Sequence, residues 1–196
     1  MEVQTNFRCA DDVRVLPSAY PRYQSMEDAA IQAKFDKEWD ANLSDKTCRT
    51  VVEIFHAIED DSVSALYMMG ENPALSDPNL NRTRKALEQV EFLVSQDVFL
   101  SESGEYADVV LPAFSFAERE GTFTNTERRI QRVRKAVDPP GQSRDDWRII
   151  CDVATAMGIP MQYENASQIM DEIASVSPLY GGIAYDRIES LGLQWP

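Results

Sequence analysis

Ala65-Leu-Tyr-Met-Met-Gly-Glu-Asn-Pro-Ala-Leu-Ser-Asp-Pro78 is the stretch on which the reading of this chain turns. An apolar strand, Ala65 to Met69, breaks at Gly70 into a polar loop. Asp77-Pro78 then opens a helix, with Leu80, Leu87 and Val90 predicted to face inward. In an open α/β sheet the carboxyl edge of such a strand is where ligands bind. Two further edges follow. The strand Phe92 to Ser95 ends at Gln96-Asp97, and the strand Asp108 to Leu111 is stopped by Pro112. Strand, helix, strand, short connection, strand is the alternation of an α/β fold with a doubly wound, mostly parallel sheet and helices on both faces. The third strand follows too closely for a full helix, so its crossover is expected to be short.

Working outward, residues 1–24 read as irregular, with Pro17, Pro21 and several tyrosines. Ser25 followed by Asp28 resembles a helix start, and Ile31, Phe35 and Trp39 repeat at helical spacing. A helix over Thr50 to Asp60 carries Val51, Ile54, Phe55 and Ile58 on one stripe. From Glu118 to Arg129 the pattern dissolves into a stretch too rich in charge to be core. A helix resumes at Asp145, with Trp147, Ile150, Cys151, Ala154 and Met157 predicted inward and Gly158 as its C′ residue. A last helix is expected near Ser167 to Val176. The expected organisation is an irregular segment plus helix belonging to a neighbouring domain over residues 1–45, an α/β nucleotide-binding region over 46–160, and a helical extension over 161–196. No internal repeat or low-complexity tract is visible.

Composition narrows the function classes. The 196 residues are 43% apolar, enough for one sizeable core and part of a second. Nineteen basic residues against 33 acidic ones give a net charge of −14, which disfavours nucleic acid as a partner. No apolar run approaches a membrane span, and Met1 is not followed by a basic and then apolar signal segment; a cytoplasmic location is expected. Cys9, Cys48 and Cys151 are odd in number and widely spaced, which fits neither a disulfide framework nor a structural zinc site. Cys151 is expected to be a core thiol, and the single histidine, His56, a solvated surface residue. There is little material for a hydrolase triad or a histidine metal site. No Gly-x-Gly-x-x-Gly, phosphate-loop Gly-Lys-Ser/Thr or Cys-x-x-Cys occurs, so an ordinary dinucleotide or ATP enzyme is poorly supported.

The loops carry the chemistry. Gly70 allows close backbone approach, Glu71 lies beside it, and Asn72 offers both a donor and an acceptor. Asp97, next to Gln96, would repel phosphate but suits guanine, whose N1–H and N2–H₂ edge donates two parallel bonds. Taken alone, each loop also reads as an ordinary turn or cap. Arg119 sits among acids, and Arg128, Arg129, Arg132, Arg134 and Lys135 form the one basic cluster. Arginine grips pyrophosphate in a fork that lysine cannot match, although such a cluster also reads as a solvated face balanced by nearby acids. Asp146, before Trp147, is either an acid at a helix N-terminus or a second polar ligand to a pterin or guanine.

These loops occur in one order: Gly70-Glu-Asn-Pro73, Ser95-Gln-Asp-Val-Phe-Leu100, Ala107-Asp-Val-Val-Leu-Pro112, Glu118-x-x-Gly-Thr-Phe-Thr-Asn-x-Glu-Arg-Arg129 and Arg144-x-Asp-Trp147. Together they resemble the molybdopterin oxidoreductase family, and most of all the catalytic subunit of molybdenum- or tungsten-dependent formate dehydrogenases. The ending Tyr180-Gly-Gly through Gln194-Trp-Pro196 is similar to that group as well. The resemblance implies an internal piece of a far larger subunit that oxidises formate to carbon dioxide. Two guanine dinucleotide pterins would hold one molybdenum or tungsten, and a 4Fe-4S cluster would lie in the full-length parent only. The contacts implied for one dinucleotide fall on Asn72, Gln96, Asp97, Arg119 and Asp146, with Gly70 and Glu71 beside it. The implied partners are the rest of the catalytic subunit and electron-transfer subunits. No catalytic residue and no metal ligand is expected within this stretch, which alone should be inactive.

The family's cysteine cluster, its cysteine or selenocysteine metal ligand followed by histidine, and its carboxy-terminal cap have no counterpart here. Arg8-Cys-Ala-Asp-Asp-Val-Arg14 replaces the glycine-containing Gln-Gly-Ala-x-Asp-Met-Gly. A nitrate reductase-like enzyme, a scaffold subunit that has lost the cofactor and a generic doubly wound binding domain are the alternatives.

Overall fold

The computed structural model describes residues 19–21 and 24–194. Cys9, the Arg8 to Arg14 segment and the terminal Trp195-Pro196 lie outside the described residues. In chain order the elements are β1 (Ala19–Tyr20), β2 (Gln24–Ser25), α1 (Ala29–Glu38), α2 (Val51–Glu59), β3 (Ala65–Met69), α3 (Pro73–Ser76), α4 (Leu80–Gln89), β4 (Phe92–Asp97) and β5 (Val109–Pro112). There follow β6 (Gly121–Thr124), β7 (Arg129–Val133), α5 (Asp146–Ala156), α6 (Ala166–Val176) and β8 (Leu193–Gln194). They divide into two compact units, one spanning Arg49–Arg119 and Lys135–Gln162, the other formed by the remaining described residues, 19–21, 24–48, 120–134 and 163–194.

The first unit is a mixed α/β layer built on a three-stranded parallel sheet, β3-β4-β5. Leu66 pairs with Leu93 and Met69 with Gln96, while Asp97 pairs with Pro112. Alternation along each strand separates two faces. On one, Leu66, Met68 and Leu93 join Phe55 and Ile58 of α2 and Ala86 and Leu87 of α4 in a single core. On the other lie Tyr67 and Gln96, and here α5 brings Asp146 against Gln96. Helices α2 and α4 cover the first face, while Tyr67, Met69 and Phe92 on the second stay partly exposed. The connection from β4 to β5 holds only a 3₁₀ turn, Gly104–Tyr106, as its length requires.

Local rules explain the helix starts. Thr50 and Glu53 form a reciprocal capping box that opens α2. Asp77 does not open α4 as expected. The Pro73 turn forms a short separate helix, and Asn79 caps α4 by accepting from the Arg82 N–H. α5 also departs from expectation. Cys151 and Ile149 are buried, whereas Ile150 is 38% and Met157 76% exposed. Cys151 faces the core as expected and Trp147 and Ala154 are half-buried, but Ile149 takes the place expected of Ile150, and Met157 lies outside. Gly158 sits at C′ with φ +90°.

The second unit contains an antiparallel sheet, β6-β7-β8, and α1 and α6. The charged stretch beyond Glu118 is thus a β-hairpin rather than patternless coil. Its inward face is carried by Ile130, fully buried beside Met170, Tyr180, Ile183 and Ile188. Gly192 has φ +69° and lies against the Ile130 carbonyl so closely that a Cβ would sit 2.3 Å from its oxygen. α1 is capped by Asp28, whose side chain accepts from the Ala30 and Ile31 N–H groups; Ser25 lies in β2 instead. Phe35 is fully buried and stacks on Tyr20 at 4.5 Å.

Candidate functional site

The carboxyl edge of the parallel sheet gathers the residues singled out in the loops. Gly70 leaves β3 with φ +63°, a left-handed conformation that glycine adopts without strain, and its N–H donates to the Gln96 carbonyl at 2.9 Å. The chain can then turn away from the sheet edge into Glu71 and Asn72. Glu71 is exposed and, with Leu66, Met68 and Pro73, lines a cavity of about 420 Å³ beside β3.

Asn72 serves as a staple between loops. Its Oδ1 accepts from the Ser103 N–H at 3.0 Å and from the Ser103 hydroxyl at 2.8 Å, and its Nδ2 donates to Glu102 at 2.6 Å. The Ser103 Oγ in turn accepts from the Ala74 N–H at 2.9 Å. Glu102 is held below the ordinary carboxylate range, first by the Asn72 hydrogen bond. The loop after β3 is therefore tied to the loop after β4 through a fully buried serine.

Gln96 is the centre of a second network. It is 1% exposed. The Tyr67 hydroxyl donates to its Oε1, and its Nε2 donates to Asp146 Oδ1 at 2.7 Å. The other Asp146 oxygen accepts from the Arg119 guanidinium, completing an ion pair in which both side chains are less than a third exposed. Burial, and then the Asp146 charge, push the Tyr67 phenol up, so it stays a donor. Asp145, which precedes α5, is also raised, chiefly by burial and against the pull of Arg119.

Asp97 has a different status. One oxygen accepts from the adjacent Val98 N–H at 2.6 Å, and its second makes no hydrogen bond among the described residues. The same holds for the remaining nitrogens of Arg119. The predicted residues thus separate into two kinds. Asn72, Gln96 and Asp146 spend their polar atoms on one another and on Tyr67, Ser103, Glu102 and Arg119. Gly70, Glu71, Asp97 and the outer edge of Arg119 retain capacity for a ligand. Tyr67 and Ser103 escaped the sequence reading. The signal for Tyr67 was a lone hydroxyl in an otherwise apolar strand; for Ser103 there was none beyond its place after a strand end.

The basic hairpin is largely neutralised within its own unit. Arg129 pairs with Glu127 at 2.9 Å, Arg132 with Glu120 at 3.2 Å and with Glu189 at 3.5 Å, and Arg134 with Glu189. Arg132 also lies over the Tyr185 ring at 3.9 Å. Cys151 is buried, with its thiol raised by that burial, and His56 is exposed beside Glu59 and Arg82. No helix among the described residues is long and apolar enough to cross a membrane.

Comparison with known proteins places this geometry. The molybdopterin oxidoreductase family profile matches residues 8–156, three-quarters of the sequence and the whole of the parallel sheet. The chain belongs to the molybdopterin oxidoreductase family. Among curated relatives of this family, a protein of Staphylococcus haemolyticus named "putative formate dehydrogenase" is 43% identical over 192 residues. A protein of Staphylococcus aureus with the same descriptive name is also 43% identical over 192 residues. These alignments take in 97% of this chain but 20% of each relative, so the chain spans about a fifth of their length. Among solved structures, the acetylene hydratase of Pelobacter acetylenicus shares the fold, with TM-score 0.61 at 17% identity over 85% of this chain and 23% of that one. The family takes its name from a molybdopterin cofactor.

Proposed function

We propose that this chain is the part of a formate dehydrogenase that holds one molybdopterin guanine dinucleotide. One observation carries the reading: the strand end Gln96-Asp97 has an uncommitted carboxylate oxygen on Asp97 and, tied to Gln96 through Asp146, an uncommitted guanidinium edge on Arg119. The two complement the two polar ends of such a ligand. A carboxylate oxygen accepts from the N–H groups of guanine, and a guanidinium donates to diphosphate oxygens. Gly70 leaves open space beside the backbone for the ligand, and Glu71 next to it is exposed.

When bound, the molybdopterin supplies a metal that takes up the two electrons released as formate becomes carbon dioxide. The residues of this chain bind and orient; the chemistry belongs to the cofactor. Asp146 keeps Arg119 aimed, and Gln96 keeps Asp146 aimed. The staple from Asn72 to Ser103 holds the first two loops at a fixed spacing, so the ligand meets a site already formed. In this reading the 4Fe-4S cluster, the metal ligand and the second dinucleotide belong to the remainder of a cytoplasmic catalytic subunit, which is the chain's first partner. Electron-transfer subunits would follow. The names of the Staphylococcus relatives favour formate over nitrate as the substrate.

The test is Asp97→Ala, purified beside wild type from molybdenum-replete cells. Molybdenum and guanine nucleotide content should fall together, with the fold retained by circular dichroism. Unchanged content of both would contradict the role given to Asp97.

A further inference from the structure

Tyr67 lies at the start of the hydrogen-bond chain that ends on Arg119, yet it reaches none of the loop residues discussed above except Gln96. Its position in β3 puts its side chain on the same sheet face as Gln96, because Tyr67 pairs with Val94 and Met69 with Gln96 in the parallel register. An amide side chain can present its oxygen or its nitrogen to a neighbour. Here the choice has consequences, because Gln96 is buried and faces both a phenol and a carboxylate. The phenol can donate; the carboxylate can only accept.

We propose that Tyr67 is a positioning residue whose hydroxyl fixes the Gln96 amide, and through Asp146 the Arg119 guanidinium, for contact with the diphosphate of a bound nucleotide. Tyr67 donates to the Gln96 oxygen, which obliges the Gln96 nitrogen to face Asp146. Asp146 then has one oxygen filled by Gln96 and the other by Arg119. With both acceptors satisfied, the carboxylate cannot rotate without breaking a charge-assisted bond, and the free edge of Arg119 points one way. Without the phenol the buried Gln96 oxygen loses its donor. A flip of the amide would then set oxygen against carboxylate oxygen, and Arg119 would lose its anchor. Burial and the Asp146 charge both keep the Tyr67 proton in place, so the donor persists well above neutral pH. The inference rests on the nucleotide reading above, but it concerns the diphosphate and not the base.

Titration calorimetry of wild type and Tyr67→Phe with guanosine, GDP, adenosine and ADP separates the two claims. Wild type should bind GDP more tightly than guanosine, through Arg119, and more tightly than ADP, through Asp97. Tyr67→Phe should lower the GDP-to-guanosine affinity ratio about five- to tenfold, the scale of one lost hydrogen bond, while guanosine affinity holds. Gln96→Leu, which interrupts the relay at its middle, should lower the ratio equally. General loosening of the fold would weaken guanosine and GDP alike and leave the ratio unmoved; that result overturns the inference. So does a wild type that binds GDP no better than guanosine. If ADP matches GDP while Tyr67→Phe still lowers the ADP-to-adenosine ratio, the guanine reading fails and the role of Tyr67 stands. No binding of any of the four by wild type overturns both.

Discussion

Replacing Asp146 with alanine tests whether the relay is a unit. The loss has three parts. The Gln96 Nε2 group, in a residue 1% exposed, loses its acceptor, and an unsatisfied buried donor costs about 1–3 kcal/mol. Arg119 loses its partner; side chains 29% and 27% exposed make this close to a surface pair, worth about 0.5–1 kcal/mol. An acid in the first turn of α5 also contributes about 0.3–1 kcal/mol through the helix dipole. Asp146→Ala should therefore destabilise its unit by about 2–5 kcal/mol. Asp146→Asn keeps an acceptor for Gln96 but loses the charge and the acceptor for Arg119, so it should cost about 1–2 kcal/mol. Urea unfolding followed by Trp147 fluorescence, in a background with Trp39 and Trp195 replaced by phenylalanine, reads the affected unit. Alanine and asparagine variants within about 0.5 kcal/mol of each other would refute the reasoning, since the Gln96 term would then be absent.

Three further outcomes are expected. Ser103→Ala removes the donor to Asn72 and the acceptor for Ala74 N–H at a fully buried position, and should lower stability by about 1–3 kcal/mol in the same urea assay. Phe35→Ala empties the stack between Tyr20 and Trp39, and should cost about 3–5 kcal/mol, read by Trp39 fluorescence in a Trp147→Phe, Trp195→Phe background. Asp145 has its folded pKa raised by burial. Its folded form therefore holds the proton more tightly, and its contribution is most favourable at acid pH and is lost as pH rises through the folded value. Asp145→Asn should gain stability at pH 7 and show little gain near pH 3 in matched urea titrations; a gain independent of pH would show that the charge is not the cause.

The parallel sheet was legible because each of its strands is an apolar run cut by Gly70, by Gln96-Asp97 or by Pro112. Such punctuation is local, and so is the capping box at Thr50 and Glu53. The hairpin β6-β7 was not legible. Its inward positions include Thr124 and Arg132 beside Ile130, so the apolar signal that a half-buried antiparallel ribbon shows on alternate residues is broken by polar side chains. In α5 Cys151 was placed correctly, whereas Ile150 and Met157 were not, because they are as apolar as the residues that are buried. At the site, loop chemistry and the family resemblance singled out Asp97, Arg119 and Asp146, but not what they touch. The bond from Tyr67 to Gln96 joins residues 29 apart, and only the register of β3 against β4 makes them neighbours. Whether a polar atom faces a ligand or another side chain is decided at that level.

The central claim is that this sheet edge holds a guanine dinucleotide pterin. Its most direct test is acid denaturation of the protein purified from its own cells, with chromatography of the released small molecules and fluorescence of the oxidised pterin. The account predicts GMP and a fluorescent pterin released together with molybdenum or tungsten, and their joint loss in Asp97→Ala. A metal-loaded protein that releases pterin without any guanine nucleotide would contradict it.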